Sequence, residues 1–386
     1  MCAAQPTYVL ICAGEVSGDL LGAELVREMA RQRKGLQFVG VGGPAMRAAG
    51  VEMLGDIADF NGMGLLEVVG SIPRLWRLRN RIVAWAAEAK PAVAVMIDNQ
   101  EFSKRVAAKL APLGVPCVQY AAPKVWAWRQ GRVHGLKKIF KHILCLFPFE
   151  AGFFTRHGMA ATYLGHPVVE RMGKVRSEVK GQRSKQERVL ALALLPGSRK
   201  AELAHHWPVF LATWQRVKKL VPQLGGVVAV EGAEALARIK ALGWDDRLTA
   251  VVGEGRFEAV AKCAAALTKS GTNNLELALL GVPAVVAYRM NWLTAAVVRR
   301  LVKVPYISPP NLILDACVYP EYVQEAATEA NLGRALYPLL TDAACAKHQT
   351  DLLAKVAKAL AVKVPPVEAA AGVVLDVMAK AEGVIA

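Results

Sequence analysis

At 386 residues, 54% of them apolar, the chain is rich enough for well-buried cores and too long for one of the common size, so two domains are expected. No apolar run reaches the roughly 18–20 residues needed to span a bilayer, and the first residues lack the basic start and long apolar core of a signal peptide, so a cytoplasmic location is expected. The formal net charge of +16 is concentrated: residues 71–142 carry 14 Lys plus Arg against Glu88, Asp98 and Glu101, a net of +11, which suits nucleic acid or an anionic membrane surface.

Tyr8 to Cys12 reads as a buried strand, followed by the turn Ala13-Gly14-Glu15-Val16-Ser17-Gly18-Asp19 and a helix to about Arg31. This is the opening of a doubly wound α/β domain, in which ligands sit at the carboxyl ends of strands. Glu15 and Asp19 make the turn acidic, better suited to sugar hydroxyls than to phosphate; Ser17 or Asp19 capping the helix is the plainer alternative. Gln37 to Val41 is the next strand, followed by the turn Gly42 to Met46 and a helix pair from Met63 to about Ala89. Within that pair Leu75, Trp76, Ile82 and Trp85 interleave with Arg74, Arg77, Arg79 and Arg81. Such a segment fits a headgroup region or a core helix with a solvated basic face; no nucleic-acid module accompanies the charge.

The strand from Ala92 to Ile97 delivers Asp98 to its carboxyl end, where a carboxylate can take a proton from an attacking hydroxyl or simply cap a helix. After the strand Val115 to Tyr120, Trp126, Trp128 and Arg129 either pack a ligand or close a domain edge. Ile143 to Leu146 and Ala161 to Leu164 complete the first alternation before Gly165-His166-Pro167. The polar, basic stretch from Arg171 to Arg188 is the best linker. A second alternation follows, with strands at Val189 to Leu195, Gly226 to Val230, Leu248 to Val252 and Ala284 to Tyr288. Pro196-Gly197-Ser198-Arg199 is a candidate anion site, since Arg pairs with phosphate in bidentate fashion.

The central element of this half is the strand from Ala265, the turn Ser270-Gly271-Thr272 and a helix with Leu275, Ala278, Leu279 and Val282 on its apolar side. Strand–turn–helix junctions aim backbone N–H groups and a helix dipole at one spot, a place for phosphate. Glu276, one turn inside, could accept hydrogen bonds from both hydroxyls of a ribose, which hints at a nucleotide diphosphate. Further on, three prolines between Val304 and Leu312 are expected to hold the chain extended with Asn311 available to a sugar or base, and Tyr319 to Glu325 to start a helix carrying Glu321 and Gln324. The seven cysteines contain no Cys-x-x-Cys pair and no matching His cluster, which argues against disulfides and zinc.

The set Ala13 to Gly22, Met63 to Gly70, Tyr120 to Arg129, Gly165-His166-Pro167, Leu194 to Arg199 and Ser270 to Thr272 strongly resembles lipid-A-disaccharide synthase, in order and spacing over nearly the whole chain. The resemblance implies a GT-B type α/β fold, two Rossmann-like doubly wound domains facing a central cleft. The implied division is a membrane-facing acceptor domain at 1–172, a linker at 173–188, a UDP-sugar donor domain at 189–362 and a C-terminal helix at 363–386 packing back on the first domain. The implied reaction joins UDP-2,3-diacylglucosamine to 2,3-diacylglucosamine 1-phosphate, with inversion, giving the β-1,6-linked lipid A disaccharide 1-phosphate and UDP. Carried over, Asp98 is the base. Glu15, Ser17, Met63 and Trp128 bind substrate, while Arg199, Ser270, Gly271 and Thr272 stabilise charge on the diphosphate. Glu276 holds the ribose, and Asn311, Glu321 and Gln324 shape the donor site. The resemblance implies no metal and no cofactor, peripheral association with an anionic inner membrane, no nucleic acid, and a homodimer as a candidate assembly. Departures from the family pattern fall at Asn99-Gln100-Glu101, Ala121-Ala122, Lys124 and Asn273-Asn274. Two other readings stay open: a related transferase with a different lipid or sugar acceptor, and a non-catalytic nucleotide-sugar-binding protein.

Overall fold

The structure, a computed structural model, describes residues 6–60, 67–181, 189–302 and 304–383. It divides into two compact units, Met1–His166 with Val362–Ala386, and Pro167–Ala361.

The strands of the first unit are β1 (Thr7–Ala13), β2 (Leu36–Gly42), β3 (Glu52–Asp56), β4 (Val93–Ile97), β5 (Cys117–Tyr120), β6 (His142–Cys145) and β7 (Ala161–Tyr163). Between them run α1 (Val16–Gln32), α2 (Pro44–Ala48), α3 (Glu67–Ala89), α4 (Gln100–Leu110), α5 (Val133–Lys137) and α6 (Pro148–Arg156). The strands form one parallel sheet in the order β3-β2-β1-β4-β5-β6-β7. Near-continuous apolar strands such as Val93–Ile97, buried throughout, are what a sheet covered on both faces requires. Alternation then sorts the side chains: Leu10 and Cys12 join the core with α3, α4, α5 and α6, while Val9 and Ile11 join the other with α1. That second core is completed by Ala370, Ala371, Val374 and Met378 from the last helix of the chain.

The second unit begins with α7 (Val168–Gly181) and contains β8 (Val189–Leu195), β9 (Gly225–Val230), β10 (Leu248–Val252), β11 (Cys263–Lys269), β12 (Ala284–Tyr288) and β13 (Glu321–Val323). Its sheet is parallel in the order β10-β9-β8-β11-β12-β13. Its helices are α8 (Lys200–Leu220), α9 (Ala233–Ala241), α10 (Arg256–Ala261), α11 (Thr272–Leu279), α12 (Trp292–Leu301), α13 (Pro309–Leu314), α14 (Glu329–Thr341) and α15 (Ala343–Leu360). The final helix, α16 (Pro366–Ala381), is the one that packs on the first unit. Trp207, Phe210 and Trp214 of α8, all fully buried, fill the core between that helix, the sheet and Leu332 and Leu336 of α14.

Each sheet has one point where the strand order reverses, between β1 and β4 in the first unit and between β8 and β11 in the second. There the paired strands end together: Ala13 faces Ile97, and Leu195 faces Thr268. The loops leaving them diverge to opposite faces and leave a crevice, the usual ligand position of such sheets.

Two expectations are corrected. Residues 309–314 are helical rather than extended, because Pro309 and Pro310 fall at the first helical positions, where a fixed φ and a missing N–H cost nothing. Glu321 to Val323 is not the start of a helix but the edge strand β13, paired with Val286 to Tyr288; the aromatic and β-branched pair Tyr322-Val323 suits that pleat, Gln324–Ala326 forms only a 3-10 turn, and the next α-helix begins at Glu329. The stretch 173–188 is helical up to Gly181, with Lys174 and Glu170 paired one turn apart, and residues 182–188 lie outside the described part. Met63 and the opening of the expected helix pair also lie outside it.

Candidate active site

In the first unit the crevice is built by the loop after β4 and the first turn of α1. Asp98 and Asn99 both adopt left-handed backbone conformations, with φ of 53° and 30°. Asn99 makes this tolerable, since its Oδ1 accepts from Phe102 N–H and caps α4. Ser103 Oγ donates to the carbonyl of Asp98 at 2.9 Å, which pins the turn from the other side. The strained turn aims the half-buried Asp98 carboxylate over the first turn of α1. Its Oδ2 stands 2.5 Å from the point a Cβ on Gly18 would occupy, so a side chain there would have to displace it. That oxygen is buried without a hydrogen-bond partner. Burial, and then the charge of Glu15, push the Asp98 carboxyl up to about 6, against a hydrogen bond from Ser17 that favours ionisation. A carboxylate of this kind is ionised near neutral pH yet basic enough to take a proton, the tuning a general base needs.

Glu15 and Ser17 are exposed beside it, at the N-terminus of α1. Asp19 is not a cap of its own helix. Its buried carboxylate accepts from the N–H groups of Gly43, Ala45 and Met46 at 2.7–3.0 Å and so caps α2. Trp128 is half-buried, with the guanidinium of Arg132 over its ring at 4.2 Å and that of Arg129 at 5.5 Å. Trp126 donates to Glu150 at 3.1 Å; Glu150 also accepts from Leu146 and Phe147 N–H, and burial pushes its carboxyl up to about 7. Nothing in the local sequence marked Glu150 beyond its place three residues into a Pro-led helix.

In the second unit the crevice lies between the turn after β8, Pro196 to Arg199, and the turn after β11, Ser270 to Thr272. Ser270 Oγ donates to Ile307 O at 2.8 Å. Gly271 N–H donates to Asn274 Oδ1 at 2.9 Å, and Asn274 Nδ2 reaches Lys269 O at 3.0 Å, so this fully buried amide locks the turn. Thr272 is exposed at the start of α11, where helix N–H groups lack intrahelical partners. Arg199, with its side chain 83% exposed, extends from the other turn. Lys269 pairs with Glu202 at 3.1 Å.

Glu276 is buried in α11. One of its oxygens pairs with Arg171 of α7 and the other, Oε2, has no hydrogen-bond partner. Burial raises its carboxyl above the ordinary range, with Arg171 and Arg256 acting against that. An acceptor left unpaired in a buried position is costly unless a ligand donates to it.

The remaining expected ligand groups are taken up by the fold. Asn311 is fully buried; its Nδ2 donates to Tyr319 O and Glu321 Oε1, and its Oδ1 accepts from Val318 and Tyr319 N–H. Glu321 accepts from Ile307 N–H, Ser308 N–H and Ser308 Oγ at 2.6–2.9 Å, and so pins the chain just before α13. Gln324 holds the main chain of Met290 at both ends of its amide. The sequence reading also passed over His206. This 1%-exposed ring accepts from Arg289 N–H through Nε2 and so donates from Nδ1 to Glu202 O. Burial holds it down to about 4, so it is neutral. Among the described residues, no three or more His, Cys, Asp or Glu side chains come together in a way that would hold a metal ion.

A family model described as lipid-A-disaccharide synthetase matches residues 9–370. The chain belongs to that family. The lipid-A-disaccharide synthase of Idiomarina loihiensis is 37% identical over 342 residues, covering 87% of this chain and 90% of its own length. That of Pseudomonas aeruginosa is 38% identical over 338 residues, covering 86% and 89%. Among solved structures, the glycotransferase of kitacinnamycin superposes with a TM-score of 0.61 at 15% identity, over 97% of this chain and 100% of its own, which is a likeness of fold. The fold is therefore GT-B, and the chain is a glycosyltransferase, a hexosyltransferase of lipid A biosynthesis. Two of the departures from the family pattern have local reasons. Asn99 supplies a left-handed residue and a cap in one side chain, and Asn274 supplies the amide that closes the Ser270-Gly271 turn.

Proposed function

We propose that the chain transfers the sugar of UDP-2,3-diacylglucosamine to the 6-hydroxyl of 2,3-diacylglucosamine 1-phosphate with inversion. The O6–C1 bond forms as the C1–diphosphate oxygen bond breaks, the hydroxyl proton passes to Asp98, and UDP leaves. The observation that carries this reading is the Asp98 carboxylate, raised to about 6 with an oxygen buried and unpaired at the carboxyl end of β4. A group in that state is costly to keep unless it acts on something. In the second unit, Arg199 and the Ser270–Thr272 turn supply positive groups to neutralise the departing diphosphate, and Glu276 Oε2 is an acceptor suited to a ribose hydroxyl. Glu15, Ser17 and Trp128 are proposed to line the acceptor side, as is Met63, which lies outside the described residues.

Contact with an anionic inner-membrane surface is supported by α3. It exposes Trp76 with the guanidinium of Arg79 stacked at 4.7 Å, beside Arg74 and Arg77. No helix among the described residues is long and apolar enough to cross a membrane. The test is turnover in detergent micelles with both lipid substrates, following disaccharide and UDP by mass, with Asp98→Asn in parallel. Disaccharide from the parent and none from a variant that still binds UDP supports the proposal. Equal turnover by the variant removes Asp98 as the base.

A further inference from the structure

Glu202 in the first turn of α8 has no part in the chemistry proposed above, yet it touches both turns that meet at the second switch point. Its Oε1 stands 3.1 Å from Lys269 Nζ, at the end of β11, and 3.9 Å from Arg199 Nη1. Its Oε2 accepts from Ser198 N–H at 3.3 Å and lies 3.5 Å from Arg199 N. The side chain is only 16% exposed, and its backbone carbonyl is tied to His206, which in turn holds Arg289 N–H. The fit is close: a Cβ on Gly197 would come within 2.6 Å of Glu202 Oε2, and one on Gly271 within 2.9 Å of Lys269 Nζ.

A carboxylate beside a diphosphate seat repels the ligand, so on charge alone this is a poor residue to place there. Its contacts offer a compensating gain. Lysine is a compact charge on a flexible stem, and an exposed arginine samples many rotamers, so neither is directed without a partner. Glu202 directs the first through an ion pair and the second through the backbone that carries it. Holding charges where they are needed before the reaction is where electrostatic catalysis draws most of its strength.

We infer that Glu202 is a positioning residue for sugar transfer, fixing the Lys269 ammonium and the Arg199 turn in one geometry so that both cations act on the departing diphosphate. This rests on the reading of the two turns as the diphosphate seat. It adds Lys269 to the groups that meet the diphosphate and gives Glu202 an effect confined to the transition state.

The test compares Glu202→Gln with the parent in kcat, in the Kd for UDP and in thermal midpoint, with Glu202→Asp and Arg199→Ala alongside. Removing a negative charge removes repulsion as well as positioning. The expected Glu202→Gln result is therefore a kcat lower by about 10- to 100-fold with UDP bound no more weakly than by the parent. Glu202→Asp, which keeps the charge and shortens the reach, is expected to fall between the two. Unchanged kcat in Glu202→Gln overturns the inference, as does a parallel loss of kcat, UDP affinity and thermal midpoint, which is the mark of a purely structural residue. Arg199→Ala separates the two levels of argument. If it loses turnover while Glu202→Gln does not, the positioning role alone fails; if it loses neither turnover nor UDP binding, the diphosphate seat itself is misplaced and both fall.

Discussion

Gly18→Ala is a one-carbon change that should separate catalysis from stability. The added Cβ would stand 2.5 Å from Asp98 Oδ2 and 3.2 Å from the Ala13 side chain, both closer than van der Waals contact allows. Ala13 is part of the sheet and cannot retreat, so Asp98 must swing away by about 1 Å. An off-rotamer aspartate costs about 0.5–1.5 kcal/mol. Alanine in place of glycine inside a helix returns about 0.5–1 kcal/mol, so the two nearly cancel and the thermal midpoint should hardly move. The base, however, is displaced by a distance that costs on the order of 100-fold in rate. Steady-state kinetics with saturating UDP-sugar, paired with thermal melts, would read both quantities. Turnover within about two-fold of the parent would refute the argument, because it would mean that the carboxylate position seen over α1 is not the reactive one.

The raised Asp98 carboxyl makes a second prediction: kcat/KM should fall as pH drops through about 6, and Glu15→Gln should move that limb to lower pH by removing the nearby charge. The same group carries a stability cost of opposite sense to an ordinary ion-paired aspartate. Its folded value lies above the ordinary 3.8, so the penalty is absent below about 3.8 and complete above about 6. Asp98→Asn should therefore melt higher than the parent at pH 7.5, by about 1–2 kcal/mol after discounting for partial exposure, with the gap closing toward pH 4; a lower melt at pH 7.5 would contradict this. Asn311→Ala strips the amide that serves Val318, Tyr319 and Glu321, and should cost about 3 kcal/mol by chemical denaturation with UDP affinity per folded molecule unchanged. A specific loss of UDP affinity in a stably folded Asn311→Ala protein would restore Asn311 as a ligand group.

Most strands of the two parallel sheets were legible because they are continuous apolar runs, and after β1, β4 and β11 the run gives way to Gly14, Asp98 and Ser270, which also marked the crevices; β3 and β13, short and mixed in polarity, were not. Asp98, Arg199 and Glu276 stood out as candidates for the same reason: each lies just past a strand or one helical turn beyond. What the sequence hid were side chains serving backbone far away in the chain. Asp19 caps a helix 24 residues on, and Glu321 holds the main chain of Ile307 and Ser308, which precede it. Both look like free acids in a loop, since periodicity carries no record of a long-range partner. Asn311 and Gln324 likewise serve main chain that their local sequence does not announce. Tyr319-Pro320 resembled the start of a helix, but the open edge beside β12 claimed the next three residues as a strand. Glu202 carried a faint local sign, a glutamate three residues after a Gly-Ser-Arg turn, which is the spacing of a capping box.

The most direct test of the account is disaccharide formation from UDP-2,3-diacylglucosamine and 2,3-diacylglucosamine 1-phosphate in mixed micelles, with the anomeric configuration of the product determined by NMR. The account predicts a β-1,6-linked disaccharide 1-phosphate and one UDP per linkage from the parent, and neither from Asp98→Asn. Release of UDP without that disaccharide, or an α-linked product, would contradict it.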